Sequence, residues 1–225
     1  VRDLLRKRGL LHGNIVRYCY RPFDVRWLYW EPETKLLDEK RAEYFPNLLD
    51  RNRAENVSHV AQENIWLIAA QKLRRETSRP QVITRLGCSH LMERGANCFP
   101  VFLREGAAGT PLFDAGGGGG IRPNLTAPAR QYLASVGAGP LDLFHHLVAV
   151  LHSPAFEKEN GDALRQDWPR LPLPASREAL ESSAELGRRV AALLDSGRPV
   201  DGVTAGTVRP ELRSLGLVGR VGGGN

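Results

Sequence analysis

The first hundred residues contain short apolar runs with the length and composition of β-strands. Two of these runs are rich in β-branched and aromatic residues and flank the turn-forming tetrapeptide Arg21-Pro22-Phe23-Asp24, which predicts two extended segments around a corner. The other three are nearly continuous apolar runs, as expected of buried strands. Short helices are predicted over residues 1–11 and 41–49. The five predicted strands cover residues 15–20, 25–30, 64–70, 81–86 and 98–103.

After residue 125 the apolar positions follow the period of an α-helix. Thr126 is a suitable N-cap for a helix that runs through Val136, and Pro140 suits the first position of the next helix. Four large apolar side chains of that second helix fall on one face and are expected to point inward. They are Leu141, Phe144, Val148 and Leu151.

A third helix is predicted to begin after Ser176, a good N-cap, and to end at about Leu194. The preceding segment, residues 168–174, must be extended because each of its prolines disfavours helix in the residue before it. It is either a polyproline ligand for an aromatic groove or, as the simpler interpretation, a rigid connector between helices. The inward side chains of the third helix are expected to be Leu186, Val190, Leu193 and Leu194.

These patterns indicate an α+β protein, with a mixed sheet region in the N-terminal half followed by a helical C-terminal half. Residues 116–120 are five consecutive glycines, with no strand leading in and no Gly-Lys-Ser/Thr following, so a flexible loop is predicted rather than a phosphate-binding loop. The predicted parts are β-rich residues 1–106, the Gly-rich loop 107–125, helical residues 126–195 and an irregular tail, 196–225.

Positive charge is concentrated in one part of the sequence. The 225 residues include 31 basic and 25 acidic side chains, a net charge of +6. Residues 72–104 carry +5 of it, whereas residues 1–71 carry +2 and residues 105–225 carry −1. The segment 72–104 is therefore the best candidate for contact with a polyanion, with a solvated basic face as the alternative. Its basic residues are Lys72, Arg74, Arg75, Arg79, Arg85, Arg94 and Arg104.

The cysteines indicate a reducing compartment rather than a disulfide framework. Cys19, Cys88 and Cys98 are an odd number at unrelated spacings, which favours reduced thiols and a bacterial cytoplasm. Cys88, His90 and Cys98 are metal ligands by residue type, but their spacing matches no zinc motif and no fourth ligand is evident. Ordinary thiols are the expected interpretation.

The sequence contains no recognisable catalytic motif. His145, His146 and His152 lie in the second predicted helix and are expected to be hydrogen-bonded side chains near the edge of the core. There is no Gly-x-Ser-x-Gly elbow and no His-Glu-x-x-His. No run approaches the roughly 18 apolar residues that span a membrane. Because the chain begins at Val1 without a signal-peptide pattern, a fragment of a longer protein is expected.

Five short segments follow one another in a fixed order between residues 15 and 195. They are Tyr20-Arg21-Pro22-Phe23-Asp24-Val25-Arg26-Trp27-Leu28-Tyr29-Trp30, Arg94-Gly95-Ala96-Asn97-Cys98-Phe99-Pro100, Arg122-Pro123-Asn124-Leu125, Leu151-His152-Ser153-Pro154-Ala155-Phe156 and Asp167-Trp168-Pro169-Arg170-Leu171-Pro172. In order and approximate spacing this series resembles the C-terminal specificity region of type ISP restriction-modification enzymes and related adenine-specific DNA methyltransferases.

In that family the methyltransferase domain lies N-terminal to this region, binds S-adenosylmethionine and carries an Asn-Pro-Pro-Tyr-type tetrapeptide that holds the flipped adenine. This sequence has no Pro-Pro dipeptide. The resemblance therefore implies a target-recognition part without its catalytic domain and without a cofactor of its own. Its implied function is sequence-specific recognition of double-stranded DNA, with DNA and the methyltransferase domain of the parent polypeptide as partners.

On this interpretation the basic residues of segment 72–104 contact phosphates, and loops 74–80 and 94–97 reach base edges in the major groove. Arginine is expected to contact guanine, and Asn97 adenine. Arg21 and Arg26, close to Asp24, fit an internal ion pair as well as a DNA contact. The six aromatic residues at positions 14–30 are expected to be core, because a base-stacking platform needs rings exposed along a groove.

The main alternative assigns the function to the helical part. Helices within residues 126–195 would then form a protein-interaction or coupler module that docks on other domains of the same or another multidomain enzyme. The two functions can coexist, with the β-rich part contacting DNA. An independent hydrolase would require a catalytic constellation that the sequence does not display.

Overall fold

The computed structural model describes residues 2–29, 64–73, 78–88, 91–93, 96–104, 121–195, 199–203, 205–207 and 209–213. Strands lie in the N-terminal half and most helices in the C-terminal half, which confirms the α+β class. The predicted helix at 41–49 and the glycine run at 116–120 lie outside the described residues.

Eight strands and six α-helices follow one another in the described part of the chain. The strands are β1 (Ile15–Arg21), β2 (Asp24–Tyr29), β3 (Trp66–Ala70), β4 (Gln81–Ile83), β5 (Leu86–Gly87), β6 (Ala96–Pro100), β7 (Phe102–Arg104) and β8 (Ile121–Pro123). The helices are α1 (Arg2–Arg8), α2 (Ala127–Val136), α3 (Pro140–Leu151), α4 (Pro154–Leu164), α5 (Arg177–Leu194) and α6 (Pro210–Arg213), with a 3-10 turn at His12–Asn14.

The strands form three small sheets. The first sheet has the order β2-β1-β5, in which β1 pairs antiparallel with β2 and parallel with β5. The second has the order β4-β3-β6 and is antiparallel throughout. The third is the antiparallel pair β7 and β8. All five predicted strands are present, although the runs 81–86 and 98–103 are each divided into two strands.

Strand β3 is buried along its whole length because a different layer covers each of its faces. Trp66 and Ile68 pack with Cys19 of the first sheet. Leu67 and Ala69 point the other way and pack with side chains of α3 and α5, such as Val148. The first sheet and the helices therefore lie on opposite sides of β3, and side chains of both halves of the sequence share one core. The predicted part boundaries are not tested and stay a prediction.

The predicted helix starts are confirmed in detail. The hydroxyl of Thr126 accepts a hydrogen bond from the Ala129 amide, and the hydroxyl of Ser176 accepts one from Ala179. Helix α4, in contrast, was not predicted. None of its residues is buried, so its sequence lacks the apolar period of a helix that packs on a core. Its start nevertheless carries a local signal, since Ser153 caps it and Pro154 occupies its first position.

The inward face predicted for helix α5 is confirmed for Val190 and Leu194 and is wrong for Leu186 and Leu193. Leu186 and Leu193 are about half exposed, while Val190 and Leu194 lie at the edge of a core cluster. The residues that are buried are Leu180, Ala184, Gly187 and Ala191. The reason is the close approach of α5 to α3: a Cβ on Gly187 would overlap the backbone carbonyl of His145. Beyond Leu180, which packs with Leu143 of α3, the buried residues of α5 are therefore small.

Helix α3 shows a smaller deviation from the prediction. Phe144 and Val148 are buried and Leu151 is partly buried in the same cluster, as expected, but Leu141 is exposed. Within the described residues no single helix is long and apolar enough to cross a membrane. Helices α2 and α3 meet the length and composition criterion only as a pair, and they are bent by 100° at the break between them.

Candidate nucleic-acid interface

The eight predicted DNA-contacting residues fall into two groups. Arg74, Arg75 and Arg94 lie outside the described residues, and Arg104 is placed only through the backbone of β7. Lys72, Arg79, Arg85 and Asn97 have described side chains. Each of these four has a different environment, so they do not form one uniform row of exposed cations.

Arg79 joins the basic segment to the helical half. Its Nη2 lies 2.6 Å from Oε2 of Glu157 in helix α4, and both side chains are partly exposed. A second nitrogen, Nη1, donates to the Ser78 carbonyl at 3.3 Å. Much of the guanidinium is thus engaged within the protein, which leaves only part of it for a phosphate.

Lys72 is exposed beside a small polar cluster. Gln71 donates to the carboxylate of Asp167 at 2.7 Å, and the Trp168 amide donates to the same oxygen at 2.8 Å. The Gln71 hydrogen bond is the main reason that the pKa of Asp167 lies below its usual value, and the positive charge of Lys72 contributes further. Lys72 therefore sits at the surface next to an ionised carboxylate.

The expectation that Asn97 lies in a loop is wrong. It belongs to strand β6, is half-buried and pairs in register with Ala69 of β3. The pairing of these strands extends through Ala70 and Ala96, so the sheet incorporates residues that the sequence alone places in a loop. Arg85 is also half-buried, at the bend between β4 and β5.

A second candidate surface lies on the hairpin formed by β1 and β2. We define the hairpin surface as the exposed side chains of Arg17, Arg21, Phe23, Arg26 and Trp27. Phe23 and Trp27 are each 65% exposed, so the prediction that the aromatic residues of this segment are core is wrong for these two. Tyr18, Val25 and Leu28 do pack against the first core cluster. The hairpin thus presents arginines and aromatic rings to solvent.

The arginines of the hairpin surface are held over aromatic rings. The guanidinium of Arg17 lies 5.0 Å from the ring centroid of Trp27. Those of Arg26 and Arg21 lie 4.0 Å and 5.4 Å from the ring centroid of Tyr20. Such cation–π contacts orient a guanidinium without consuming its N–H donors. The contacts with Trp27 and Tyr20 therefore leave the N–H donors of Arg17 and Arg21 for an anion.

Arg26 also forms the ion pair that the sequence suggests. Its Nη2 lies 2.8 Å from Oδ2 of Asp24, and its Nε lies 3.1 Å from both carboxylate oxygens. This hydrogen bonding holds the pKa of Asp24 below its ordinary value. The pair is exposed rather than internal, so it fixes the direction of the Arg26 side chain more than it stabilises the fold.

Counting the net charge over shorter segments of the sequence indicates the basic character of the hairpin. Residues 1–29 contain seven basic and two acidic side chains, a net charge of +5, equal to that of residues 72–104. Residues 30–71 contain five basic and eight acidic side chains, and they mask the excess in a count over 1–71. The two basic segments meet in the first sheet, where Cys19 of β1 pairs with Gly87 of β5 and accepts a hydrogen bond from the Cys88 amide at 2.8 Å.

The three helical histidines are hydrogen-bonded, as predicted. His145 donates to the Leu141 carbonyl at 2.7 Å and His152 to the Pro80 carbonyl at 3.0 Å, and burial lowers the pKa of both. His146 contacts Ser183 and the Pro172 carbonyl, each at 2.8 Å. These rings therefore hold α3 to its neighbours.

The described residues contain no group of three or more His, Cys, Asp or Glu side chains that could hold a metal ion. Cys19, Cys88 and Cys98 form no disulfide bond, and burial raises the pKa of the Cys19 thiol. His90, the third member of the metal-ligand set considered from the sequence, lies outside the described part of the chain.

The fold and sequence together identify the class of this chain. The family model of the Type ISP C-terminal specificity domain matches residues 3–202. The chain belongs to this family, which confirms the resemblance seen in its five ordered segments. The comparison with curated proteins gives no match.

Three solved structures share the fold. A DrdV–DNA complex has a TM-score of 0.58 and 23% sequence identity, over 86% of this chain and 17% of that one. A nuclease-deletion mutant of the Type ISP restriction-modification enzyme LlaGI, in complex with a DNA substrate mimic, has a TM-score of 0.54 and 22% identity, over 86% and 15%. The ATP-dependent Type ISP restriction-modification enzyme LlaBIII bound to DNA has a TM-score of 0.59 and 14% identity, over 89% and 12%. The chain thus spans less than a fifth of each matched protein.

Proposed function

We propose that this chain recognises a specific sequence in double-stranded DNA, as the specificity part of a restriction-modification enzyme. Its membership of the Type ISP C-terminal specificity domain family supports this function. So does its structural similarity to parts of three proteins whose structures were determined with DNA or a DNA mimic. In this proposal the chain supplies recognition, and the reactions on DNA are carried out elsewhere in a longer polypeptide.

The observation that carries the proposal is the convergence of two basic segments in one sheet. Residues 1–29 and 72–104 each carry a net charge of +5, and β1 pairs with β5 between them. Residues 105–225 carry −1 in total. A charge excess that is confined to two segments of the sequence, and not spread evenly along the chain, favours contact with a polyanion.

Within this proposal the basic side chains contact phosphates and thereby set affinity and register. The phosphate contacts would come from the hairpin arginines together with Lys72, Arg74, Arg75, Arg79, Arg85, Arg94 and Arg104. Base edges would be read by residues of segments 74–80 and 94–97, with arginine directed to guanine and Asn97 to adenine. Because Asn97 lies in strand β6, it can contact adenine only if the major groove of the DNA lies directly against the β4-β3-β6 sheet.

The proposal also includes the catalytic part of the parent enzyme. We infer that an adenine-specific methyltransferase domain, outside this chain, binds S-adenosylmethionine and modifies the site that this chain selects. The enzyme would act in the bacterial cytoplasm, where the DNA is located. This chain would act on the reaction by fixing which adenine is presented, and the absence of a Pro-Pro dipeptide fits that division of labour.

The salt dependence of DNA binding tests the proposal. The affinity of the 225-residue chain for duplex DNA is expected to fall with rising salt, with a log–log slope of about −0.9 per phosphate neutralised. The double variant Arg74→Ala, Arg75→Ala is expected to flatten this slope by roughly 1.8, because two phosphate contacts are lost. Fluorescence anisotropy of a labelled duplex at several salt concentrations measures both slopes.

A matched control removes two arginines from the helical half. Arg165→Ala with Arg177→Ala changes the net charge equally, and both side chains are exposed and form ion pairs with Asp162 and Glu181 in the helical half. This control is expected to leave the slope close to that of the unsubstituted chain. An affinity that does not depend on salt, or an absence of binding to duplex DNA at low salt, would contradict the proposed function.

A second candidate function concerns the outer face of helix α5. Leu186 and Leu193 are seven residues apart, lie on one side of the helix and are about half exposed. The proteins matched above are more than five times longer than this chain, so other domains of the parent enzyme are available to cover this face. We propose that the helical part also docks the specificity domain on those domains.

Point substitutions test this docking better than deletion of residues 126–195, because α3 and α5 share a core with β3. In the full-length parent enzyme, Leu186→Glu with Leu193→Glu is expected to release the specificity domain, seen as faster limited proteolysis between domains. In the isolated chain the same variant is expected to keep its urea midpoint and its DNA affinity. A full-length variant that resists proteolysis as well as the parent does would overturn the docking role.

A further inference from the structure

The turn that joins β1 to β2 holds an aromatic residue in an unfavourable backbone conformation. Phe23 has φ +64°, and it is the one non-glycine residue with positive φ in the described part of the chain. This left-handed region crowds the Cβ of any L-residue and is normally occupied by glycine or asparagine in tight turns. The fold thus keeps a bulky side chain at a position where glycine would cost less.

Packing of the fold does not explain why phenylalanine occupies this position, because the Phe23 side chain is 65% exposed at the tip of the hairpin. An exposed apolar ring adds little to core stability and is unfavourable in water. Strain that is retained without a gain in packing is a recognised mark of a functional position. The ring therefore has a use outside the fold of the chain itself.

The neighbours of Phe23 indicate what the ring meets. Arg21 precedes the turn and Arg26 follows it, and both guanidiniums lie over the ring of Tyr20, at 5.4 Å and 4.0 Å from its centroid. Asp24 fixes Arg26 further through an ion pair of 2.8 Å. The turn therefore offers duplex DNA both an apolar ring, which can meet the base stack, and two nearby guanidiniums, which can meet phosphates.

We propose that Phe23 is a wedge that inserts at a base step of bound duplex DNA, while Arg21 and Arg26 contact phosphates beside that step. This inference rests on the proposed DNA-recognition function and adds a mechanism to it. Apolar side chains inserted between base pairs unstack them and kink the duplex, and the energy of unstacking is offset by added contacts along the bent DNA.

The turn is suited to this role because it is stiff. Pro22 fixes its own φ, Arg21 pairs with Asp24 across the turn, and the ion pair holds the first residues of β2. A rigid tip loses less conformational entropy on insertion than a flexible loop of the same composition. The turn therefore holds the backbone of Phe23 in one conformation before DNA is bound.

The test compares the full 225-residue chain with Phe23→Gly on one duplex. The duplex is selected from a randomised pool by the unsubstituted chain, and 2-aminopurine is placed at successive positions within it. For the unsubstituted chain, fluorescence is expected to rise at one base step as the bases unstack. Phe23→Gly is expected to lose this signal and to bind roughly five- to 150-fold more weakly, the range for loss of one base–aromatic stack.

Two further variants separate the role of the ring from effects on folding. Phe23→Gly relieves the backbone strain, so its urea midpoint is expected to be unchanged or higher even though DNA binding is weaker. Leu173→Ala removes a comparably exposed apolar side chain from the segment before α5 and is expected to leave DNA affinity unchanged. Phe23→Trp keeps a flat ring and is expected to retain the fluorescence signal.

The outcomes distinguish this inference from the function on which it rests. If Phe23→Gly binds as tightly as the unsubstituted chain and produces the same fluorescence change, the wedge is overturned while DNA recognition stands. Equal weakening by Leu173→Ala would also overturn it, since the effect would not be specific to the hairpin. If the unsubstituted chain does not bind duplex DNA at low salt, both the proposed function and the wedge are overturned.

Discussion

Replacement of Gly187 by alanine is expected to lower the free energy of unfolding by about 3 kcal/mol, the upper part of the usual range for an overpacked core. The added Cβ would overlap the backbone carbonyl of His145. A backbone group cannot rotate away as a side-chain end can, so α5 must move away from α3. That movement would also separate Ala191 from Val148 in the cluster that holds the helices on β3.

Urea unfolding followed by circular dichroism measures this effect, and Gly161→Ala is the matched control. Gly161 lies within helix α4, and no neighbouring atom lies within 4 Å of the Cβ that alanine would add. Alanine there is expected to stabilise the chain by about 0.5–1 kcal/mol through helix propensity alone. If both variants shift the midpoint in the same direction, the close contact between α3 and α5 is not as described.

Helix α5 shows which part of a fold can be predicted from sequence and which cannot. Its existence and its start follow from local signals, because the Ser176 cap and the period of apolar residues act within a few turns. Its inward face does not, because Leu186 and Leu193 are more hydrophobic than Ala184 and Gly187 but lie on the other side. The choice depends on how near α3 comes, which is a property of the assembled core.

The middle strand was predictable for the opposite reason. An uninterrupted apolar run such as 66–70 indicates a strand with both faces covered, and β3 is covered by the first sheet and by the helices. Neither its partners nor their order can be obtained from the run itself. The parallel pairing of β1 with β5 joins residues nearly 70 positions apart, and no local pattern encodes it.

The candidate interface stays a prediction for segment 72–104, which the distribution of charge along the sequence favours. The sequence also allows Arg21 and Arg26 as DNA contacts, but it does not predict the exposed rings beside them, because aromatic residues are usually buried. Within the described residues, the first sheet packs with β3 through side chains such as Cys19, whereas Trp27 on β2 and Phe23 at the tip of the hairpin are exposed. Arg17 and Arg26 then use the exposed or partly exposed rings as supports.

The layered arrangement separates the two proposed functions in space. The first sheet, with its basic residues, and the helices pack against opposite faces of β3. Under the two proposals, binding of DNA to the hairpin surface would therefore not compete directly with docking of another domain on α5. Both layers pack on β3. A shift of α3 and α5 is therefore expected to displace Leu67 and Ala69 of β3, and through β3 to change the position of the first sheet.

Replacement of Asn64 is expected to have the second large effect on the free energy of unfolding. Its buried side-chain amide forms two hydrogen bonds with the backbone of β7, as a neighbouring strand would. Its Nδ2 donates to the Phe102 carbonyl and its Oδ1 accepts from the Phe102 amide, both at 3.1 Å, and Asn64 is only 1% exposed. Asn64→Ala is expected to cost about 2–3 kcal/mol, since two hydrogen bonds are lost and their partners are left partly buried. The same urea measurement applies.

Asn124→Ala is the control for this prediction, because Asn124 also bridges to the backbone near β7 but does so at the surface. Its Nδ2 donates a single hydrogen bond, to the Pro100 carbonyl at 2.9 Å, and water can replace it. A loss of about 1 kcal/mol or less is expected. If Asn64→Ala is no more destabilising than Asn124→Ala, the amide is not what attaches β7, the strand that carries Arg104, to the start of β3.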